Sequence, residues 1–243
     1  LHAFDWRGYW DYGTGSLGDM GCHLMDVPIK ALGLYDPYSV EASISRLPYV
    51  RSYTPADVSS SSVPASSIVT YRFNPSKLND SKVKFTWMDG GLRPSQPDQI
   101  KEDIGVGGIL IYGEKGIISC NDYGTRAKLY IDGEVVETGQ FDGIPSNSFN
   151  HYTSWVEAMV DGYGSDKHKN LNSGFDVAGP ISEVVLLGNV AVRSGLLKRS
   201  PRSNVFIGRK RLDYDSKNMV ITNFDQANQF LTREYRKGWE LNI

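Results

Sequence analysis

Asp19, His23 and Asp26 stand at i, i+4 and i+7 in the run Gly13-Thr-Gly-Ser-Leu-Gly-Asp-Met-Gly-Cys-His-Leu-Met-Asp26. At about 100° per helical residue, the three side chains fall within roughly 60° of one another on one helix face. An imidazole titrates near neutrality, so His23 is suited to taking a proton from a hydroxyl. A carboxylate one turn away orients the ring and stabilises the imidazolium, which is the candidate role of Asp19. Asp26, a turn further on, is placed to bind a neighbouring hydroxyl. Each residue also has a plainer reading. Asp19 in a first helical turn complements the helix dipole, and a single histidine can be purely structural. Trp6, Arg7, Trp10 and Tyr12 are candidate substrate contacts, because aromatic rings stack on sugar rings; packing into a core is the alternative. His151, in Phe149-Asn-His-Tyr-Thr-Ser-Trp155, starts a second helix and either faces the same cleft or bonds to backbone.

Gly13-Thr-Gly-Ser-Leu-Gly18 has the spacing G-x-G-x-x-G, but a dinucleotide fingerprint needs a buried apolar strand just before it. Asp5-Trp-Arg-Gly-Tyr-Trp-Asp-Tyr12 is no such strand. Asp19 also places an anion where a pyrophosphate would bind. These glycines are expected to serve tight turns and close approach of a ligand or another domain.

The elements that position these groups follow from periodicity. Residues 1–15, rich in aromatics and glycine, read as a loop or extended arm. A helix is expected from Ser16 to Leu32, with Leu17, Met20, Leu24, Val27 and Ala31 on its apolar stripe, a kink at Pro28, and a stop at Gly33. Strands are expected at 40–47, 67–73, 82–88, 108–113, 116–121, 126–132 and 134–138. Gly113-Glu-Lys-Gly116 and Asp132-Gly133 are the hairpin signals. Ser59–Ser67 reads as a serine-rich loop. Residues 90–105 read as a long loop acting as a lid or subunit contact. Helices are expected at Phe149–Val160 and Phe175–Val192, the second apolar almost all round and deeply buried. A hairpin at 205–222 and a last helix at 224–236, capped by Asn223, complete the chain. Helices and strands are segregated, so the fold class is α+β: a large open, mainly antiparallel or mixed sheet with helices on one face. No internal repeat or domain boundary is visible, so 1–243 reads as one domain. The open face calls for a cover, and a homo-oligomer is the simplest one.

Composition excludes several classes. With 26 Lys and Arg against 28 Asp and Glu, the net charge of −2 gives no basic excess for nucleic acid. The longest apolar run falls far short of the roughly 20 residues of a membrane span. Two cysteines, Cys22 and Cys120, could pair but make no disulfide framework. The histidines and cysteines show no metal-ligand spacing, so no metal is expected. The opening Leu-His-Ala-Phe-Asp-Trp-Arg is neither an initiator sequence nor a signal peptide, and the chain is expected to begin mid-protein. The compartment, cytoplasmic or exported to the periplasm, is left open.

Trp10-Asp-Tyr-Gly-Thr-Gly-Ser-Leu-Gly-Asp-Met-Gly-Cys-His-Leu-Met-Asp26 closely resembles the start of the C-terminal domain of Gfo/Idh/MocA oxidoreductases. Phe175-Asp-Val-Ala-Gly-Pro-Ile-Ser-Glu-Val-Val-Leu-Leu-Gly-Asn-Val-Ala191 and Tyr235-Arg-Lys-Gly-Trp239 resemble one bacterial branch of that family. The resemblance implies a substrate-binding and oligomerisation domain that works with an upstream Rossmann domain holding NAD or NADP. It implies hydride transfer at a carbinol of a sugar, polyol or related compound. By motif it assigns His23 the acid–base role, Asp19 the orienting role and Asp26 a substrate contact. The family's Glu-Lys-Pro lysine has no counterpart: Glu114-Lys115-Gly116 sits in a hairpin and lacks the proline. The resemblance therefore implies that this chain is inactive without the domain that carries the lysine. Two further readings stay open: an NAD-dependent, redox-assisted glycosidase of the same fold, and a non-catalytic sugar-binding or scaffold protein.

Overall fold

A computed structural model describes residues 5–45, 61–136, 150–203 and 205–240. Its core forms where a strictly alternating strand meets an apolar helix. In β2 (Ser67–Phe73), Ser67, Val69, Tyr71 and Phe73 are buried, and the residues between them are half-exposed. β1 (Pro37–Ile44) and β3 (Val83–Met88) flank β2 antiparallel, with Val40 opposite Tyr71 and Trp87 opposite Val69. β8 (Leu212–Asp215) and β9 (Val220–Ile221) extend this sheet in the order β3-β2-β1-β8-β9. Directly opposed residues share a face, so Val40, Val69, Tyr71, Trp87 and Leu212 form one apolar surface.

Helix α5 (Phe175–Ser194) lies on that surface through Val184, Leu187 and Ala191. Each fully buried aliphatic side chain there contributes roughly 1.5–3 kcal/mol. By length and composition α5 would be able to cross a membrane, yet half of it is buried within the chain, and it is the core helix of this fold. The expectation of burial all round is corrected: Phe175 and Leu186 are exposed, and burial is concentrated from Ile181 onward. Val177 and Ala178 are half-buried, and Val177 packs against the edge of the core. Tyr214 of β8 donates its hydroxyl to Glu183 of α5 at 2.8 Å, which fixes the helix to the sheet. Burial, followed by that bond, pushes the Tyr214 phenol well above its ordinary value.

The second sheet is a meander of β4 (Ile109–Tyr112), β5 (Ile117–Cys120), β6 (Lys128–Ile131) and β7 (Glu134–Val136). The expected open antiparallel α+β architecture is present, divided between two sheets. Asp132 and Gly133 both take positive φ, 51° and 83°, as a two-residue type I′ hairpin demands. Gly113 N–H donates to the Gly116 carbonyl at 2.9 Å and closes the other expected turn. The 90–105 segment packs on this sheet through Ile100 and Ile104, while most of its other residues are exposed. Its Ile100 is buried with Ile117 and Tyr130. Glu102 Oε1 accepts from Lys128 Nζ and from the Tyr130 hydroxyl, each at 2.5 Å. The Lys128 bond, then the Tyr130 bond, hold the Glu102 carboxyl below its ordinary value.

The expected helix over 16–32 is two helices, α1 (Gly15–Leu24) and α2 (Asp26–Leu32), broken at Met25. Pro28 has no N–H to give the Leu24 carbonyl, which accounts for the break. Gly33 closes α2 at φ 65° as expected. α3 (His151–Asp161) is capped by Asn150, whose side chain accepts from Thr153 N–H at 3.0 Å. A short α4 (Asp166–Lys169) follows, which periodicity did not indicate.

The last expected helix is corrected to a 3-10 turn over Asp225–Phe230. Ala227 is buried and Phe230 half-buried, but residues 232–240 are all exposed, and a helix without a buried face gains little from packing. Asn223 does not cap it. Its side chain instead donates to the Arg211 carbonyl at 3.0 Å and to Asp213 Oδ2 at 2.9 Å. Strand β1 starts three residues before its expected position, and the expected strand and helix residues 46–47, 137–138 and Phe149 lie outside the described residues.

Candidate functional site

α1 meets α5 across glycine. A Cβ on Gly21 would stand 2.9 Å from Val185 Cγ1. One on Gly188 of α5 would overlap the Tyr71 hydroxyl and stand 2.7 Å from Leu17 Cδ2. Leu17, Gly21 and Met25 are accordingly buried. That contact determines the direction of the opposite face. Asp19 lies roughly 160° around the helix from Leu17 and Gly21, His23 roughly 160° from Gly21 and roughly 120° from Leu17, and both are exposed. Asp26, first residue of α2 beyond the break at Met25, is half-exposed.

Each of the three has a partner of its own. Arg7 Nη1 donates to Asp19 Oδ2, which ties the aromatic arm to α1. His23 makes an edge contact with the Tyr123 ring, centroids 5.7 Å apart at 70°. Asp26 Oδ1 pairs with Lys30 Nζ at 3.0 Å, and the same ammonium donates to the Asn172 carbonyl at 3.4 Å. Among the described residues, no hydrogen bond joins Asp19 to His23.

The arm holds its place through backbone. Trp10 N–H donates to the Ser61 carbonyl and Val63 N–H to the Gly8 carbonyl, both at 2.9 Å. Trp6 and Tyr12 are exposed, whereas Trp10 is half-buried with the Arg193 guanidinium 5.4 Å from its ring. Arg193 also lies 4.5 Å from the Phe230 ring, so Trp10 takes part in packing. His151 opens α3, as expected, and lines a surface recess with Tyr152, Trp155, Leu171, Asn172 and Ser173.

Two contributors were not singled out from sequence. Tyr123 reaches His23 from the turn between β5 and β6, where Asn121 Oδ1 accepts from Tyr123 and Thr125 N–H at 3.2 and 2.9 Å. The signal was present as Asn-Asp-Tyr-Gly-Thr125, a run of turn-forming residues, but its position over α1 is a tertiary fact. Lys30 was visible only as an i+4 partner of Asp26; its reach to Asn172 was not.

The glycine run serves close packing of backbone. A Cβ on Gly13 would stand 2.5 Å from Arg7 Cα, and one on Gly18 would overlap the Thr14 side chain and stand 3.5 Å from Asn189 Nδ2. Among the described residues no three His, Cys, Asp or Glu side chains cluster to hold a metal ion. Cys22 and Cys120 are both free thiols.

Residues 2–45 match the model of the oxidoreductase family, C-terminal alpha/beta domain, of Gfo/Idh/MocA type. The matched segment contains the arm, all of α1 and α2, and the three candidate residues. No curated protein matches the chain.

Proposed function

We propose that this chain is the substrate-side domain of an NAD(P)-dependent oxidoreductase acting on a carbinol of a sugar, polyol or related compound. The observation that carries the reading is the exposed acid–base face of α1 and α2, lying wholly inside the matched segment. His23 takes the proton of the reacting hydroxyl. Asp26 accepts a hydrogen bond from an adjacent hydroxyl and Lys30 keeps its carboxylate in place. Asp19 is held by Arg7 in this structure, so its role toward His23 requires that pair to open or share when substrate enters. Trp6 and Tyr12 offer exposed ring faces beside the same helix. NAD or NADP, which the family resemblance implies, would be held by residues other than the Gly13–Gly18 run.

The test is to follow nicotinamide reduction by the intact protein while offering sugars, polyols and glycosides. Substrate-dependent net reduction supports the reading. Breakdown of a glycoside without net reduction would move the assignment to a redox-assisted glycosidase, and binding without either reaction would leave a sugar-binding protein.

A further inference from the structure

Among the described residues, α3 is covered along little of its length. Ala158 is its one buried residue, while Tyr152 is 85% exposed and Trp155 58% exposed. Both rings line the recess closed on its other side by Leu171, Asn172 and Ser173, with His151 at the helix start. A hexose ring presents an apolar C–H face and a polar rim of hydroxyls. The recess offers the complement: two ring faces and one aliphatic side chain, bordered by imidazole, amide and hydroxyl groups. It also adjoins the acid–base face, because Lys30 Nζ bonds both Asp26 of that face and the carbonyl of Asn172 in the recess.

We infer that this recess is a subsite for a second sugar ring, so that the molecule bound at His23 is a glycoside and not a free monosaccharide or polyol. The inference rests on the substrate reading proposed above. Trp155 supplies the stacking face, Asn172 and Ser173 bond hydroxyls of the second ring, and Lys30 marks the boundary between the two rings.

The test measures binding of the intact protein by calorimetry to free glucose, galactose, mannose and N-acetylglucosamine, and to 1→3 and 1→4 disaccharides of each. At least one disaccharide is expected to bind about 10-fold more tightly than its free hexose, the size of one aromatic stacking contact. Trp155→Ala, and separately Ser173→Trp, which fills the recess, should abolish that difference and leave hexose affinity unchanged. Unchanged melting temperatures would show that both variants fold. Disaccharides that bind no better than hexoses, or not at all, would overturn the subsite, as would a disaccharide advantage that survives Trp155→Ala. Turnover by His23→Ala is read in parallel. Its loss, alongside an unaltered disaccharide advantage in Trp155→Ala, would remove the subsite and keep the catalytic reading. Its persistence would remove the catalytic reading by a separate result.

Discussion

Arg7 and Asp19 show how one ion pair sets the state of a site. The pair joins the arm to α1, and it leaves His23 with an aromatic neighbour instead of a carboxylate. Being partly exposed, such a pair adds little to stability, about 0–1 kcal/mol, so its importance is positional. Arg7→Gln should therefore leave the melting temperature nearly unchanged yet raise KM more than it lowers kcat. A change in kcat alone would place Arg7 in the chemistry itself. The cysteines provide a second check at this scale. Cys22 is exposed beside His23, whereas Cys120 is half-buried and burial pushes its thiol pKa up. Near neutral pH Cys120 thus holds less of the reactive thiolate. Alkylation followed by mass spectrometry should label Cys22 first, and a substrate bound at His23 should slow that labelling. Faster labelling of Cys120 would contradict the burial described here.

Among the elements, the contact of α1 with α5 determines how the face carrying Asp19 and His23 is presented. Gly188 leaves room for the Tyr71 hydroxyl and Leu17. Gly188→Ala should overpack the contact and cost about 1–3 kcal/mol, read as a lower melting temperature. A neutral outcome would mean that α1 and α5 are looser than described. The cover over the second sheet makes a pH prediction. Glu102 titrates below its ordinary value when folded, so its hold on Lys128 and Tyr130 is present above the ordinary carboxylate pKa. The hold is lost as pH falls through the lowered folded value. NMR signals of the Ile100 methyl groups should shift toward solvent-exposed positions in acid, and Glu102→Gln should weaken the hold at every pH and remove its acid dependence.

Legibility also varied by element. β2, β3 and the Asp132-Gly133 turn could be read from alternation and turn chemistry, because the cause is local. The exposure of Asp19 and His23 was legible because helical spacing turns both away from the buried Gly21. The break at Met25 followed from Pro28. The failures are tertiary. The Asp225–Phe230 turn stops where the buried face ends, the division into two sheets depends on strand pairing, and Tyr123 and Lys30 join the site only through contacts distant in sequence.

At the scale of the whole molecule, the second sheet carries a partly exposed apolar row. Register places Ile111, Ile118, Leu129 and Val136 opposite one another across all four strands of the second sheet. Ile118 is 40% exposed and Val136 37% exposed. A row of this kind favours association of copies through the sheet face, which we propose as the quaternary arrangement. Ile118→Glu should convert the assembly to monomers in light scattering without lowering the melting temperature of the monomer. A wild-type protein that is already monomeric at micromolar concentration would contradict it.

We propose His23 as the general base of a carbinol oxidation. The most direct measurement is the turnover of His23→Ala against the unaltered protein, in the intact enzyme, on a substrate that it reduces nicotinamide with. A fall of about 100-fold or more, the usual contribution of a positioned base, is expected, with substrate affinity changed far less. Turnover within a few-fold of the unaltered protein would contradict it.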